Sequence, residues 1–259
     1  MTAGARTAMD AFDLYERAAT DGSRSVEFLL AVHGGAASIL AEDFCGSGAL
    51  SRAWAEGSAD RRVIAADADP AALDALRARL APEAAQRVAL RCADVRAVTD
   101  PADIIAAFNF PIGYWHARAD LVAYFRHARS RLRGGGCLVV DIYGGATAFQ
   151  PGEYEQALPG GIVYIWEQAE ADALTGRVRN AMHFTLPGGR ELRNAFEYDW
   201  RLWSIAEVRE AMAEAGFARS EVYGSLGDAI DGAGRLRVRP LEHGDELDED
   251  YVVYIAGRA

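Results

Sequence analysis

From residue 38 to residue 144 the chain repeats one pattern: a short apolar run, a turn of small or acidic residues, and a stretch with helical periodicity. The runs "RRVIAAD" (61–67), "RVALRC" (87–92), "DIIAAFNF" (103–110) and "CLVVDIYG" (137–144) are too continuously apolar for a sheet with one wet face. With a shorter run near Ser38 to Ala41 they make five strands buried on both sides, which requires a parallel sheet covered by helices. The intervening helices read at about 10–33, ending in "HGG", after residue 48 with Leu50 and Trp54, and at 69–80, where Pro70 sits in the first turn and Leu73, Leu76 and Leu80 share a face. A longer one near 116–132 lines up Leu121, Tyr124, Phe125, Ala128 and Leu132 and is stopped by "GGG" at 134–136.

Beyond about residue 160 the period changes to two. "GIVYIWEQAEADA", "RVRNAMHFTL" and "RELRNAFEYDWRLW", joined by "LTG" and "PGG", predict an antiparallel meander of three strands over 161–203. Ser204 and Glu207 form a capping box that opens a helix through about 215, and "SEVYGS" and "DYVVYIAGR" supply two closing strands around a polar loop at 226–248. Length (259 residues) and a hydrophobic content of 51% favour one main domain with an elaboration.

A net charge of −11 without clustered basic residues disfavours a nucleic-acid partner. Cys45, Cys92 and Cys137 are widely separated, which fits reduced thiols and suggests no disulfide framework and no metal site. The first residues carry no apolar run with a cleavage site, and no segment reaches a membrane span, so a cytoplasmic protein without a membrane partner is expected.

The first strand leads into "EDFCGSG" (42–48) and then a helix. A glycine turn at that junction aims backbone N–H groups and the positive end of a helix dipole at the crevice where open α/β sheets bind nucleotides. Asp67 ends the second strand, where a carboxylate can accept from both ribose hydroxyls. Asp94 follows the third, placed to accept from an adenine amino group while Val95 flanks the ring, or to shape an Asx turn.

These features in this order resemble the class I S-adenosylmethionine-dependent methyltransferases, and "EDFCGSG" is similar to a "DFCGT" variant of their first motif. The resemblance implies an α/β, doubly wound, mostly parallel seven-stranded Rossmann-like sheet with an inserted antiparallel β-meander. It divides the chain into an N-terminal helical lid (1–35), the Rossmann-like domain (36–160 and 204–259) and the meander (161–203). It also implies S-adenosyl-L-methionine as cofactor and S-adenosyl-L-homocysteine as product. The cofactor residues it implies are Glu42, Cys45, Gly46 and Gly48 at the turn, Asp67 and Ala68 after the second strand, Asp94 and Val95 after the third, Asn109 and Phe110 after the fourth, and Tyr15 from the lid. Phe44 departs from the pattern, since the usual motif has glycine there. Neighbours on a strand point to opposite faces, so either Glu42 or Asp43 meets the ligand; alignment favours Glu42.

The expected reaction is transfer of a methyl group to a nitrogen or oxygen of a small organic acceptor, with a homodimer compatible with the chain. His116 and Tyr114, just past the fourth strand, are the candidate catalytic bases. Tyr143, Trp166, His183 and Arg201 are candidate substrate contacts. Gly46-x-Gly48-x-x-Ser51 with Asp67 also approximates a dinucleotide fingerprint, so a nicotinamide-dependent oxidoreductase and a non-catalytic binding protein on the same fold are the alternatives.

Overall fold

The computed structural model describes residues 10–227, 229–230 and 236–259. The chain opens with α1 (Ala11–Ala19) and α2 (Gly22–His33), then alternates β1 (Ile39–Asp43), α3 (Ala49–Glu56), β2 (Arg62–Asp67), α4 (Pro70–Arg79), the short α5 (Pro82–Ala85), β3 (Val88–Cys92), β4 (Ala102–Ala107), α6 (Arg118–Arg131) and β5 (Leu132–Gly145). Four antiparallel strands follow: β6 (Gly152–Leu158), β7 (Ile162–Asp172), β8 (Arg177–Leu186) and β9 (Arg190–Arg201). α7 (Ile205–Glu214), β10 (Arg219–Tyr223), a two-residue ribbon of β11 (Ala229–Ile230) and β12 (Leu236–Arg237), and β13 (Asp250–Arg258) complete the order.

Seven strands form one sheet in the order β3-β2-β1-β4-β5-β13-β10. β1 to β5 are parallel, and β13 runs antiparallel to both of its neighbours. The connection order reverses between β1 and β4, which leaves a crevice at the carboxyl ends of those strands. Alternate residues feed two cores, as burial on both faces demands. Ala41, Ile105 and Val140 pack with Leu121, Phe125 and Met212 on one side, while Leu40, Ile104 and Val139 pack with Phe28, Trp54 and Leu76 on the other. A third core joins α1 to the four-stranded sheet, with fully buried Leu14 against Ile162, Tyr164, Met182 and Phe184.

Four expectations are corrected. The helix expected over 10–33 is two helices, because Asp21 caps a new start by accepting from the Arg24 N–H at 2.9 Å. The meander has four strands and begins at Gly152 rather than 161; β6 is an almost wholly exposed edge strand, "GEYEQAL", without the apolar alternation that marks its neighbours. The glycines at 134–136 lie inside β5, which starts directly where α6 ends, and the β4–β5 register shifts there between Ala102 and Ile104. The loop expected at 226–248 holds the β11–β12 ribbon; within it, residues 228 and 231–235 lie outside the described residues, as do residues 1–9 of the expected lid.

Candidate functional site

β1 carries its last two carboxylates to opposite faces of the sheet. Asp43 turns toward α6, fully buried, where the Arg131 guanidinium donates to it at 2.9 and 3.0 Å and the Tyr124 hydroxyl at 3.1 Å. Glu42 turns to the other side and into the crevice. One of its oxygens accepts the Ser51 N–H at 2.9 Å and the Ser51 hydroxyl, which ties the strand to the first turn of α3. Burial pushes Glu42 up to about 8, against the pull of the Ser51 hydrogen bonds and with Asp67 and Glu16 raising it further.

The chain between β1 and α3 is bent by three left-handed residues, Phe44 (φ 61°), Gly46 (φ 50°) and Gly48 (φ 70°). A side chain at Gly48 would meet Leu76 at 2.5 Å, so that glycine lets α3 and α4 close together, whereas a Cβ at Gly46 would meet nothing within 4 Å. The bend is therefore not filled by its own surroundings. Phe44 adopts the glycine conformation at a cost of about 1–2 kcal/mol. Its ring compensates by packing against Tyr114, Trp115 and Tyr124 at centroid distances of 6.0–6.3 Å. Asp67 reaches across from β2 and accepts the Gly46 N–H at 2.8 Å and the Asp69 N–H at 2.9 Å, one on each oxygen. Each carboxylate oxygen keeps a free acceptor direction.

At the end of β4 the backbone is strained again. Asn109 (φ 67°) and Phe110 (φ 65°) are consecutive left-handed residues, and both of their N–H groups donate to Asp141 of β5 at 2.8 Å. Asp141 is buried, and burial pushes it up to about 7 despite those two hydrogen bonds. It clamps a conformation that costs free energy at two adjacent residues.

Two adjoining hollows result. A polar one of about 100 Å³ is lined by Glu42, Phe44, Cys45, Gly46, Asn109, Asp141 and Tyr254, with Tyr15, Ala19 and Asp21 above. A larger one of about 850 Å³ lies between the four-stranded sheet and the ends of β5 and β13, walled by Phe110, Tyr143, Tyr164, Trp166, Tyr198 and Trp200. Tyr15, Ala19 and Asn109 line both. α1 is held over the boundary by ion pairs from Glu16 to Arg52 and from Asp10 and Asp13 to Arg79, and by Tyr15 against Phe196 at 5.2 Å.

Comparison with known proteins places this architecture. Residues 42–136, from Glu42 through β5's first glycines, match a family model described as a methyltransferase domain. Over those residues the chain resembles a methyltransferase domain, and the solved structures below share its fold. Solved methyltransferase-like structures share the fold over nearly the whole chain. Streptomyces venezuelae DesVI is similar at 18% identity, covering 96% of this chain and 97% of its own, with a TM-score of 0.70. A methyltransferase from Clostridium acetobutylicum aligns at 16% identity over 94% and 96%, TM-score 0.66. CalS10, an amino pentose methyltransferase from Micromonospora echinaspora in its S-adenosylmethionine-bound form, aligns at 18% identity over 95% of each chain, TM-score 0.65. No curated protein matches the sequence. Among the described residues no helix is long and apolar enough to cross a membrane.

The residues expected in the site separate into two groups. Tyr15, Glu42, Cys45, Gly46, Asn109 and Phe110 line the hollows, as do Tyr143 and Trp166, while Asp67 sits at the bend through Gly46. Gly48 is buried against Leu76, and Ala68 is exposed beside Asp67. The rest lie elsewhere. Both oxygens of Asp94 are taken by Arg96, at 2.6–3.2 Å, so the Asx turn is what forms, and Val95 is only 2% exposed in the core. His116 Nε2 lies 2.8 Å from the Asp199 carbonyl, and Arg201 donates to the His116 carbonyl at 3.0 Å; the pair fastens the segment after β4 to β9 and lines neither hollow. Tyr114, 45% exposed, also lies outside both, between Phe44 and Trp200. His183 is buried, with Glu167 at 2.7 Å on one ring nitrogen and the Asn194 N–H donating to the other at 2.8 Å, bracing the β8–β9 irregularity. The sequence reasoning missed Asp141, whose signal was a lone charge inside the apolar run "CLVVDIYG".

Proposed function

We propose that this chain transfers the methyl group of S-adenosylmethionine to a nitrogen or oxygen of a small organic acceptor and releases S-adenosylhomocysteine. The observation that carries the reading is the joint between Gly46 and Asp67: an open left-handed bend that lines a polar hollow is bonded at 2.8 Å to a strand-end carboxylate, and that hollow adjoins an aromatic one. The donor set suits the cofactor. Asp67 offers acceptors to ribose hydroxyls, and Glu42 has one oxygen without a hydrogen-bond partner among the described residues, in a hollow that Asp21 and Asp141 also line.

When bound, the sulfonium supplies an electrophilic methyl group, so the protein has no covalent chemistry of its own to perform. Asn109 and Phe110, held by Asp141, set the wall between the two hollows, and the surrounding rings exclude water from the acceptor. Holding a nucleophile at about 3 Å in line with the methyl carbon is the main catalytic task.

Titration calorimetry with S-adenosylhomocysteine, S-adenosylmethionine and NADH tests the cofactor, with saturable binding of the first two expected. Binding of NADH alone overturns the assignment in favour of an oxidoreductase. Labelled methyl donor offered to a cell extract then reports the acceptor, and label confined to RNA or protein rules out a small molecule.

A further inference from the structure

We infer that the acceptor is an organic amine without phosphate or carboxylate groups, recognised through its positive charge by the rings of the larger hollow. The inference rests on the methyltransferase reading and names the acceptor class of the same site.

The hollow is walled by rings that touch one another in a continuous belt. Tyr198 and Trp200 stack at 4.3 Å, Trp166 stands 5.8 and 6.0 Å from them, and Phe110 lies 5.9 Å from Trp200 and 5.0 Å from Tyr143. Such faces carry partial negative charge and attract ammonium groups most strongly where water is excluded. The ionisable groups of the lining agree in sign. Glu153 and Asp250 are its carboxylates, and Asp250 is kept ionised because the Thr147 N–H and hydroxyl donate to it at 2.9 and 2.8 Å. Among the described residues no arginine lines the hollow, and the sequence contains no lysine at all. A phosphate or carboxylate on the acceptor would meet no cation among the described residues of the lining and would face two anions.

The reaction fits the same surroundings. The bound ammonium first gives one proton to water, and the nitrogen lone pair so freed forms the new N–C bond as the C–S bond breaks; the sulfonium charge passes to nitrogen, and sulfur leaves neutral. The proton of the resulting ammonium goes to water on release. A belt of rings favours nitrogen that gains positive charge. A hydroxyl acceptor would instead have to lose its proton during attack, and no histidine lines the hollow among the described residues; His116 and His183 are bonded elsewhere.

The test uses the full chain loaded with S-adenosylhomocysteine and three probes, benzyltrimethylammonium, benzyl alcohol and benzyl phosphate, followed by tryptophan fluorescence. Benzyltrimethylammonium is expected to bind at least about tenfold more tightly than the alcohol, with benzyl phosphate the weakest. Trp166→Leu, which keeps apolar bulk and removes a π face, is expected to lower the ammonium affinity about tenfold and the alcohol affinity less than about threefold, with S-adenosylhomocysteine binding retained. Alcohol or phosphate binding as tight as the ammonium, or equal losses of ammonium and alcohol in Trp166→Leu, overturns the amine assignment. Failure to bind S-adenosylhomocysteine in the preceding titration overturns the methyltransferase reading instead, so the two failures are distinct.

Discussion

The two hollows are built from different materials. The polar one is made of backbone bends and strand-end carboxylates, each set by a few residues in sequence: a left-handed bend at 44–48, an acid at the end of β2, a second left-handed pair at 109–110. The aromatic one is assembled from side chains that come from α1, β5, β7 and β9 and meet only after the antiparallel sheet has folded against the parallel one. The first kind of site is robust to surface change and intolerant of change at single positions. The second spreads recognition over many rings and adapts by exchanging them.

The contrast can be broken most severely from behind the polar hollow. Asp43→Ala leaves the Arg131 guanidinium, 3% exposed, buried without its counter-ion, and is expected to cost about 3–5 kcal/mol, read as a large drop in thermal midpoint or loss of soluble protein. A smaller effect is expected in front of it. Asp67→Ala removes charge-assisted acceptors and should weaken S-adenosylhomocysteine by about 30- to 100-fold in calorimetry, while probes of the aromatic hollow change little. If both ligands weaken equally, the two hollows are not separable.

Glu42→Gln sharpens the comparison through pH. Glu42 has an ordinary value of 4.5 and is pushed up to about 8 in the folded protein by burial. Between those values the folded state binds more protons than the unfolded state, so this residue's contribution to stability declines as pH rises. The thermal midpoint of Glu42→Gln relative to the parent is expected to climb from about pH 5 to about pH 8 and to level off above that. An unchanging difference would mean that Glu42 is not desolvated. The smallest effect is expected from His116→Ala. Because its ring is bonded to the Asp199 carbonyl and lines neither hollow, turnover should fall by less than about threefold; a loss of 100-fold or more would restore it as a general base.

The legibility of the molecule follows the same division. The parallel sheet could be read because each of its strands is buried on both faces and so leaves an unbroken apolar run. The Gly46–Asp67 joint was legible because both partners sit at strand ends, where topology alone brings them together. Phe44 was visible as a departure, and its φ of 61° shows that the position demands the glycine conformation even when a phenylalanine occupies it. β6 was not legible, since an exposed polar strand at a sheet edge leaves no burial pattern. His116 lines neither hollow although its place just past β4 suggested the crevice, because the orientation of its ring is fixed by β9, far away in sequence. Asp94 was open to two readings, and the structure shows the Asx turn in which it accepts the Arg96 N–H.

The ring of Tyr15 is a wall of both hollows and belongs to neither sheet. With donor and acceptor in the two hollows, as proposed, the two molecules would press on opposite sides of one side chain, carried by a helix tied down through Arg52 and Arg79. By thermodynamic necessity, whatever factor the first occupant confers on the second's affinity is returned unchanged. Replacing that tyrosine with alanine would alter the conversation between the two molecules as well as the grip on each.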